Sequence, residues 1–240
     1  MQSDGSHTPH AESGRSLKAE RQMPYEKLLE SFVMIMVRLR QKTLRLHLRL
    51  KQEIDILKSV KTLEDYRRTL ERYMGFYGPL ETALGRQFNR RAGGFDFERR
   101  RKVPLLVNDL RALGVEQFTT LPRCASSPAI SSTPQAFGCL YALEISTLGG
   151  QIIARHLNRV FGVSPESGCS FFHSYGDQTV MMWRDLGQQI KKHAVTDEIE
   201  EAMIGAAVET FVSLEQWMTV KGAPERPQKI LKLVAGGRWA

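Results

Sequence analysis

Residues 140–157 read LYALEISTLGGQIIARHL. Apolar residues fall at Leu140, Leu143, Leu148, Ile152, Ile153 and Leu157, which is the spacing of a helix rather than a strand. Gly149 and Gly150 stand side by side in the middle of it. Each glycine costs a helix interior about 1 kcal/mol relative to alanine. A helix that keeps such a pair either kinks there or is approached closely on that face, with no Cβ in the way. Close helix–helix packing is the plainer form of that approach, and a flat bound group is the other. The pattern predicts one helix that stops near Gly162, preceded by a long connection over 115–134 that holds three prolines.

Working outward, every periodic stretch is helical. Pro24 suits a first helical turn. Leu28, Phe32, Ile35, Met36 and Leu39 then mark a buried stripe, which Thr43, Leu46, His47 and Leu50 continue on one face. Thr62 with Asp65 forms an approximate capping box for the next helix, which carries Leu63, Tyr66, Leu70, Tyr73, Met74 and Tyr77. Gly75, Gly78 and Pro79 are expected to bend or split that helix, and Gly93-Gly94 closes the region. Pro104 opens a short helix that Gly114 ends. Asp177 is the expected N-cap of a helix bearing Val180, Met181, Trp183 and Leu186. Thr196 or Asp197, with Glu200, caps a last helix presenting Ile199, Met203, Ala206, Ala207, Phe211, Leu214 and Met218. No stretch alternates with period two. The expected architecture is a single all-α domain over residues 24–221, between a disordered polar tail at 1–23 and a loose basic tail at 222–240.

Bulk properties bound the function. The 240 residues are 42% hydrophobic, enough for one sizeable domain. No uninterrupted apolar run reaches the ~18 residues that a membrane span needs, and no signal-peptide core is present. Three cysteines without close metal-ligand spacing fit a reducing cytoplasm. A net charge of +8 points to an acidic or anionic partner. The run Arg99-Arg100-Arg101-Lys102 reads as solvated surface, and with no aromatics interleaved among its charges, nucleic acid ranks last among such partners. HExxH, CxxC, phosphate-binding glycine loops, GxSxG and Glu-x-x-His are all absent.

What remains is His47 on or beside an apolar face, the Gly149-Gly150 helix and the basic residues around His47. Arg38, Arg40, Lys42, Arg45, Arg49 and Lys51 surround that histidine and favour a neutral ring, the form that binds a metal. A helix offering an axial imidazole, faced by a helix whose backbone allows close approach, makes a sandwich for a planar metallo-ligand such as haem. Nearby cations would pair with carboxylates on its edge. The plainer reading of His47 is a satisfied core histidine.

Leu39-Arg40-x-x-Thr43-x-x-x-His47 resembles the proximal-helix signature of the haem oxygenases, and Leu148-Gly149-Gly150-Gln151 is similar to their distal helix. TLEDYRRTLERYMGFYGPLE and FFHSYGDQTVMMWRDL resemble further segments of bacterial members, in the same order, and most closely the branch that supplies biliverdin to bacterial phytochromes. The resemblance implies an all-helical fold with haem between the first helix and the glycine-bearing one, haem being both cofactor and substrate in an O₂-dependent cleavage to biliverdin, CO and iron. It implies His47 as the axial ligand, Arg40 and Arg184 as partners of the haem carboxylates, and Ile145, Ser146, Gly149 and Gly150 on the opposite face of the ring. It also implies a ferredoxin- or reductase-like electron donor and a bacterial phytochrome as bilin acceptor, with no membrane partner. Two positions depart from the family pattern. Ile145 stands where a glycine usually lies one turn before the pair, and Lys51 stands where a carboxylate usually follows the axial histidine by four residues. These departures support an alternative: a non-catalytic relative that binds haem, a bilin or a partner protein.

Overall fold

The structure is a computed structural model that describes residues 25–91 and 95–219. All regular elements among the described residues are helical: α1 (Tyr25–Ile54), α2 (Ile56–Ser59), α3 (Leu63–Arg91), α4 (Val103–Ala112), α5 (Thr133–Ile145), α6 (Thr147–Phe161), α7 (Ser170–His173), α8 (Thr179–His193) and α9 (Asp197–Thr219), with 3₁₀ turns at Glu98–Arg100 and Gly176–Gln178. The expected tails at 1–23 and 222–240, the side chains of Leu28 and Phe32, and Gly93-Gly94 lie outside this description.

The core forms around α5, which packs most extensively on α9, while α9 in turn packs on α1. Every residue of α5 from Ala136 to Glu144 is buried. That uniform burial is why the stretch 133–161 is long and apolar enough to cross a membrane, although most of it lies inside the protein. Gly138 makes the α5–α9 contact possible, because a Cβ there would stand 1.9 Å from the Met203 carbonyl oxygen. On α1 the expected stripe is inside: Ile35, Leu39, Thr43 and Leu50 are buried, and Leu46 packs against the core.

Helix starts and stops follow local chemistry in several places. Thr62 and Asp65 exchange reciprocal bonds, with the Asp65 N–H donating to Thr62 Oγ1 at 3.0 Å and the Thr62 N–H donating to Asp65 Oδ2 at 3.0 Å. At α9, Thr196 Oγ1 accepts from the Ile199 N–H at 3.3 Å, and Glu200 is buried in an ion pair with Arg38 of α1.

Four expectations change. First, α3 runs unbroken through Pro79. Proline removes the donor that would bond the carbonyl four residues back, which is that of Gly75. The Cys124 N–H, from the connection after α4, donates to the Gly75 carbonyl at 3.0 Å and replaces it. Second, α5 begins at Thr133, inside the stretch read as connection, because Ser132 and Gln135 form a capping box. Third, the 140–157 helix is two helices that meet at Ser146, three residues before the glycine pair. Beyond the break the Gly149 N–H bonds the Ser146 carbonyl at 3.3 Å, a tightened turn. Fourth, Asp177 lies in a 3₁₀ turn and caps nothing; α8 starts after Gln178 without a side-chain cap.

Candidate functional site

A cavity of about 970 Å³ lies between α1 and the α5–α6 pair. Met36, Val37, Arg40, Thr43, Leu44 and His47 line one side of it, and Ile145, Ser146, Leu148, Gly149 and Ile152 line the side opposite. Tyr73, Tyr77, Phe171 and Phe172 form an aromatic back wall: Tyr73 and Phe171 lie 5.0 Å apart between ring centres, and Tyr77 meets Phe171 edge-on at 5.4 Å. Leu44, Leu48, Leu57, Leu148 and Ile152 line the same space yet are 40% or more exposed. The cavity is thus an apolar slot that opens to solvent, the usual character of a site for a large organic ligand.

His47 is half-buried, its ring 5.7 Å from that of Phe211 on α9. Neither ring nitrogen has a hydrogen-bond partner among the described residues. Burial, and secondly the charge of Lys51 one turn on, hold its pKa below the ordinary histidine value, so the ring is neutral at physiological pH with a lone pair available to a metal. The sign for stability follows. The unfolded chain takes up a proton on this residue first, so its contribution is complete above pH ~6.5 and declines as the pH falls below it. Replacing Lys51 with glutamate removes the repulsion and supplies an acceptor, and is expected to raise the His47 pKa. An NMR titration of the imidazole signals reads this directly; an unchanged or lower pKa contradicts it.

The two glycines serve different purposes. A Cβ on Gly149 would meet nothing within 4 Å, so this residue borders open cavity. A Cβ on Gly150 would stand 2.4 Å from the Phe172 carbonyl oxygen, so this glycine is required by the packing of α6 on the Phe171–Phe172 segment. Gln151 Nε2 donates to the Gly176 carbonyl at 2.6 Å and ties α6 to the turn before α8.

Of the residues singled out from the sequence, the cavity brings together His47, Arg40, Ile145, Ser146, Gly149 and Gly150. Ile145 sits at the end of α5 and still faces the cavity, although the break at Ser146 interrupts the regular turn between it and Gly149. Arg184 lies elsewhere: α8 presents Trp183 to the cavity, and the next residue, about 100° further round the helix, is exposed. The other described histidines are also away from it. His156 contacts Arg159 at 3.3 Å, His173 packs beside Gly176, and His193 Nδ1 is 2.8 Å from the Gln189 carbonyl with its ring on Phe137.

The basic run at 99–102 departs most from its reading. Arg100 and Lys102 are only 2% and 3% exposed. They surround Glu144, itself 1% exposed, and Lys102 reaches the cavity. Arg99 lies outside and Arg101 is half-buried, and four consecutive basic residues carry no signal in the sequence for which of them is buried.

The comparisons with known proteins bear on the family and the fold. A model of the Heme oxygenase family matches residues 34–220. A heme oxygenase of Xanthomonas campestris pv. campestris (strain 8004) is 41% identical over 66 residues, which are 28% of this chain and 37% of that relative. The NO- and CO-bound heme oxygenase from Neisseria meningitidis superposes with a TM-score of 0.63 at 20% identity, over 81% of this chain and 96% of that one. The heme oxygenase from Leptospira interrogans does so with a TM-score of 0.63 at 17% identity, over 77% and 98%. With the family match running from α1 through α9 and the same all-helical fold in both solved structures, the chain belongs to the heme oxygenase family.

Proposed function

We propose that the protein cleaves haem to biliverdin, CO and iron, using O₂ and electrons from a ferredoxin- or reductase-like donor. One observation carries this: a neutral His47, unpartnered among the described residues, lines the same apolar slot as the open side of Gly149. The residues fit haem. His47 would supply a nitrogen ligand to the iron, Arg40 a cation for a carboxylate, and the aromatic wall the contacts for a flat macrocycle. Bound haem supplies an iron centre that activates O₂ for attack on the macrocycle itself. Gly149 leaves space above the ring, and the Ser146 hydroxyl at the helix break offers a hydrogen-bond donor beside that space. Arg40 and Lys51 are exposed and line the cavity, a surface on which an acidic donor would be steered. A bacterial phytochrome as bilin acceptor and a reducing cytoplasm belong to the same proposal; the three cysteines are buried and free.

Ile145 favours a second reading, in which haem or a bilin is held without oxygenation. Its branched side chain lines the cavity beside Gly149 and takes up volume on the side where O₂ would bind. Anaerobic haem titration, followed by oxygen and reductant, separates the two. Oxygenation gives loss of the Soret band and a bilin spectrum, whereas a persistent Soret complex removes the enzyme reading. Under the oxygenase reading, Ile145→Gly removes that side chain and is expected to raise the rate of bilin formation by about tenfold, equivalent to about 1.4 kcal/mol of barrier.

A further inference from the structure

The aromatic back wall of the cavity stands on a segment that cannot hold itself in place. α7 is a single turn of four residues, too short to persist without outside contacts. It lies between two residues of positive φ, Gly168 at +110° and Ser174 at +53°, so the helical path continues at neither end. Yet Phe171 and Phe172 of this turn line the slot. The Phe172 carbonyl oxygen also sets the approach of α6, since a Cβ at position 150 would stand 2.4 Å from it.

The turn is held from outside by Asp109, a buried carboxylate of α4. Its Oδ1 accepts from the Ser170 N–H at 2.6 Å and from the Ser170 hydroxyl at 2.7 Å, and its Oδ2 accepts from the Phe171 N–H at 2.8 Å. Both N–H groups lie in the first turn of α7, where no carbonyl of that helix can accept from them. Among the described residues no cation pairs with Asp109, and these donors alone meet its charge. A carboxylate differs from an amide of the same shape in that both its oxygens accept. It alone can hold the two N–H groups, one on each oxygen. Tyr66 of α3 steadies the approach to the turn by donating to the Gly168 carbonyl at 2.8 Å.

We propose that Asp109 is the positioning residue of the back wall. Through Ser170 and Phe171 it fixes the depth of the slot at Phe171 and Phe172, and through the Phe172 carbonyl it fixes how closely α6 approaches. Asp109 does not itself line the cavity, so it acts only through these residues. The inference rests on the haem reading for the identity of what fills the slot, and not for the shape of the slot. A displacement of about 1 Å in this wall changes the contact of a flat, rigid ligand over its whole face.

The test begins with the unloaded full chain followed by NMR. Asp109→Asn keeps the side-chain volume but turns an amide donor toward one of the two N–H groups. The backbone signals of Ser170, Phe171 and Phe172 are expected to move, and with them that of Gly150 across the contact, while those of Ala206 and Ala207 on α9 stay in place. Ser170→Ala removes the hydroxyl alone and is expected to give the same pattern with smaller shifts, which keeps the test decisive if Asp109→Asn does not fold. Metal-free protoporphyrin is then titrated through the quenching of tryptophan emission, since Trp183 lines the cavity. Its affinity is expected to fall by about tenfold in Asp109→Asn and by about threefold in Ser170→Ala. Thr196→Ala, which loses the cap of α9, is expected to melt lower than wild type with unchanged porphyrin affinity. Variants of Asp109 and Ser170 that melt lower but keep the wild-type Phe172 and Gly150 signals and porphyrin affinity overturn the proposal. A wild-type chain that binds no porphyrin instead sinks the haem reading, and the Phe172 and Gly150 signals then decide the role of Asp109 by themselves.

Discussion

His47→Ala is expected to abolish the histidine-ligated absorption spectrum of the haem-loaded protein and to weaken haem binding by more than about a hundredfold, with added imidazole partly restoring the spectrum. Three observations converge on this residue. It is the described histidine that lines the cavity. Its ring nitrogens are not engaged by other described residues. Burial and Lys51 keep it unprotonated. Alanine at His156, His173 or His193 should leave the spectrum nearly unchanged, because these side chains are held elsewhere by Arg159, by the turn at Gly176 and by Gln189 and Phe137. Thermal unfolding of the unloaded His47→Ala protein should move little, since the ring is only half-buried and loses no hydrogen bond to a described residue. If the wild-type spectrum survives His47→Ala and one of the other three substitutions removes it, the proximal assignment is wrong and the proposed function loses its main support.

The glycines of α5 and α6 should separate fold from function with opposite signs. Gly138→Ala and Gly150→Ala place a methyl against backbone carbonyls of neighbouring segments, Met203 at 1.9 Å and Phe172 at 2.4 Å. Backbone in a packed core cannot yield as a flexible side chain does, so each should cost about 3 kcal/mol. That corresponds to a lowering of the melting temperature by roughly 6–12 °C in a chain of this size. Gly149→Ala places the same methyl in open cavity. Its helix propensity rises by about 1 kcal/mol, so the unloaded protein should melt at the same temperature or slightly higher. Haem, however, would meet the methyl where it lies closest to α6, and its affinity should fall. Differential scanning calorimetry of the unloaded variants, with Soret titrations alongside, reads both effects. A Gly149→Ala protein destabilised as much as Gly150→Ala would mean that the pair has one structural role and that the open face is not a binding surface.

Much of this was determined by the sequence alone. The 3.6-residue period specifies an all-helical protein because each helix must bury one stripe, and Ile35, Leu39, Thr43 and Leu50 do so along α1. The box at Thr62 and Asp65 is equally local, since both partners lie within one turn. His47 and the glycine pair were singled out for the same reason: an imidazole beside an apolar face and two adjacent glycines in a helix are each costly or unusual without a partner. Tertiary structure decided what depends on groups far away along the chain. Pro79 should have broken α3, but the Cys124 N–H supplies the donor it lacks. Gly149 and Gly150 are identical as residues and differ only because the Phe172 carbonyl stands against one of them. Arg100 and Lys102 belong to a run whose charges suit solvent. Only the packing of the 3₁₀ turn and α4 against α3 and α5 brings Glu144 and Glu81 close enough to offset the cost of burying two cations.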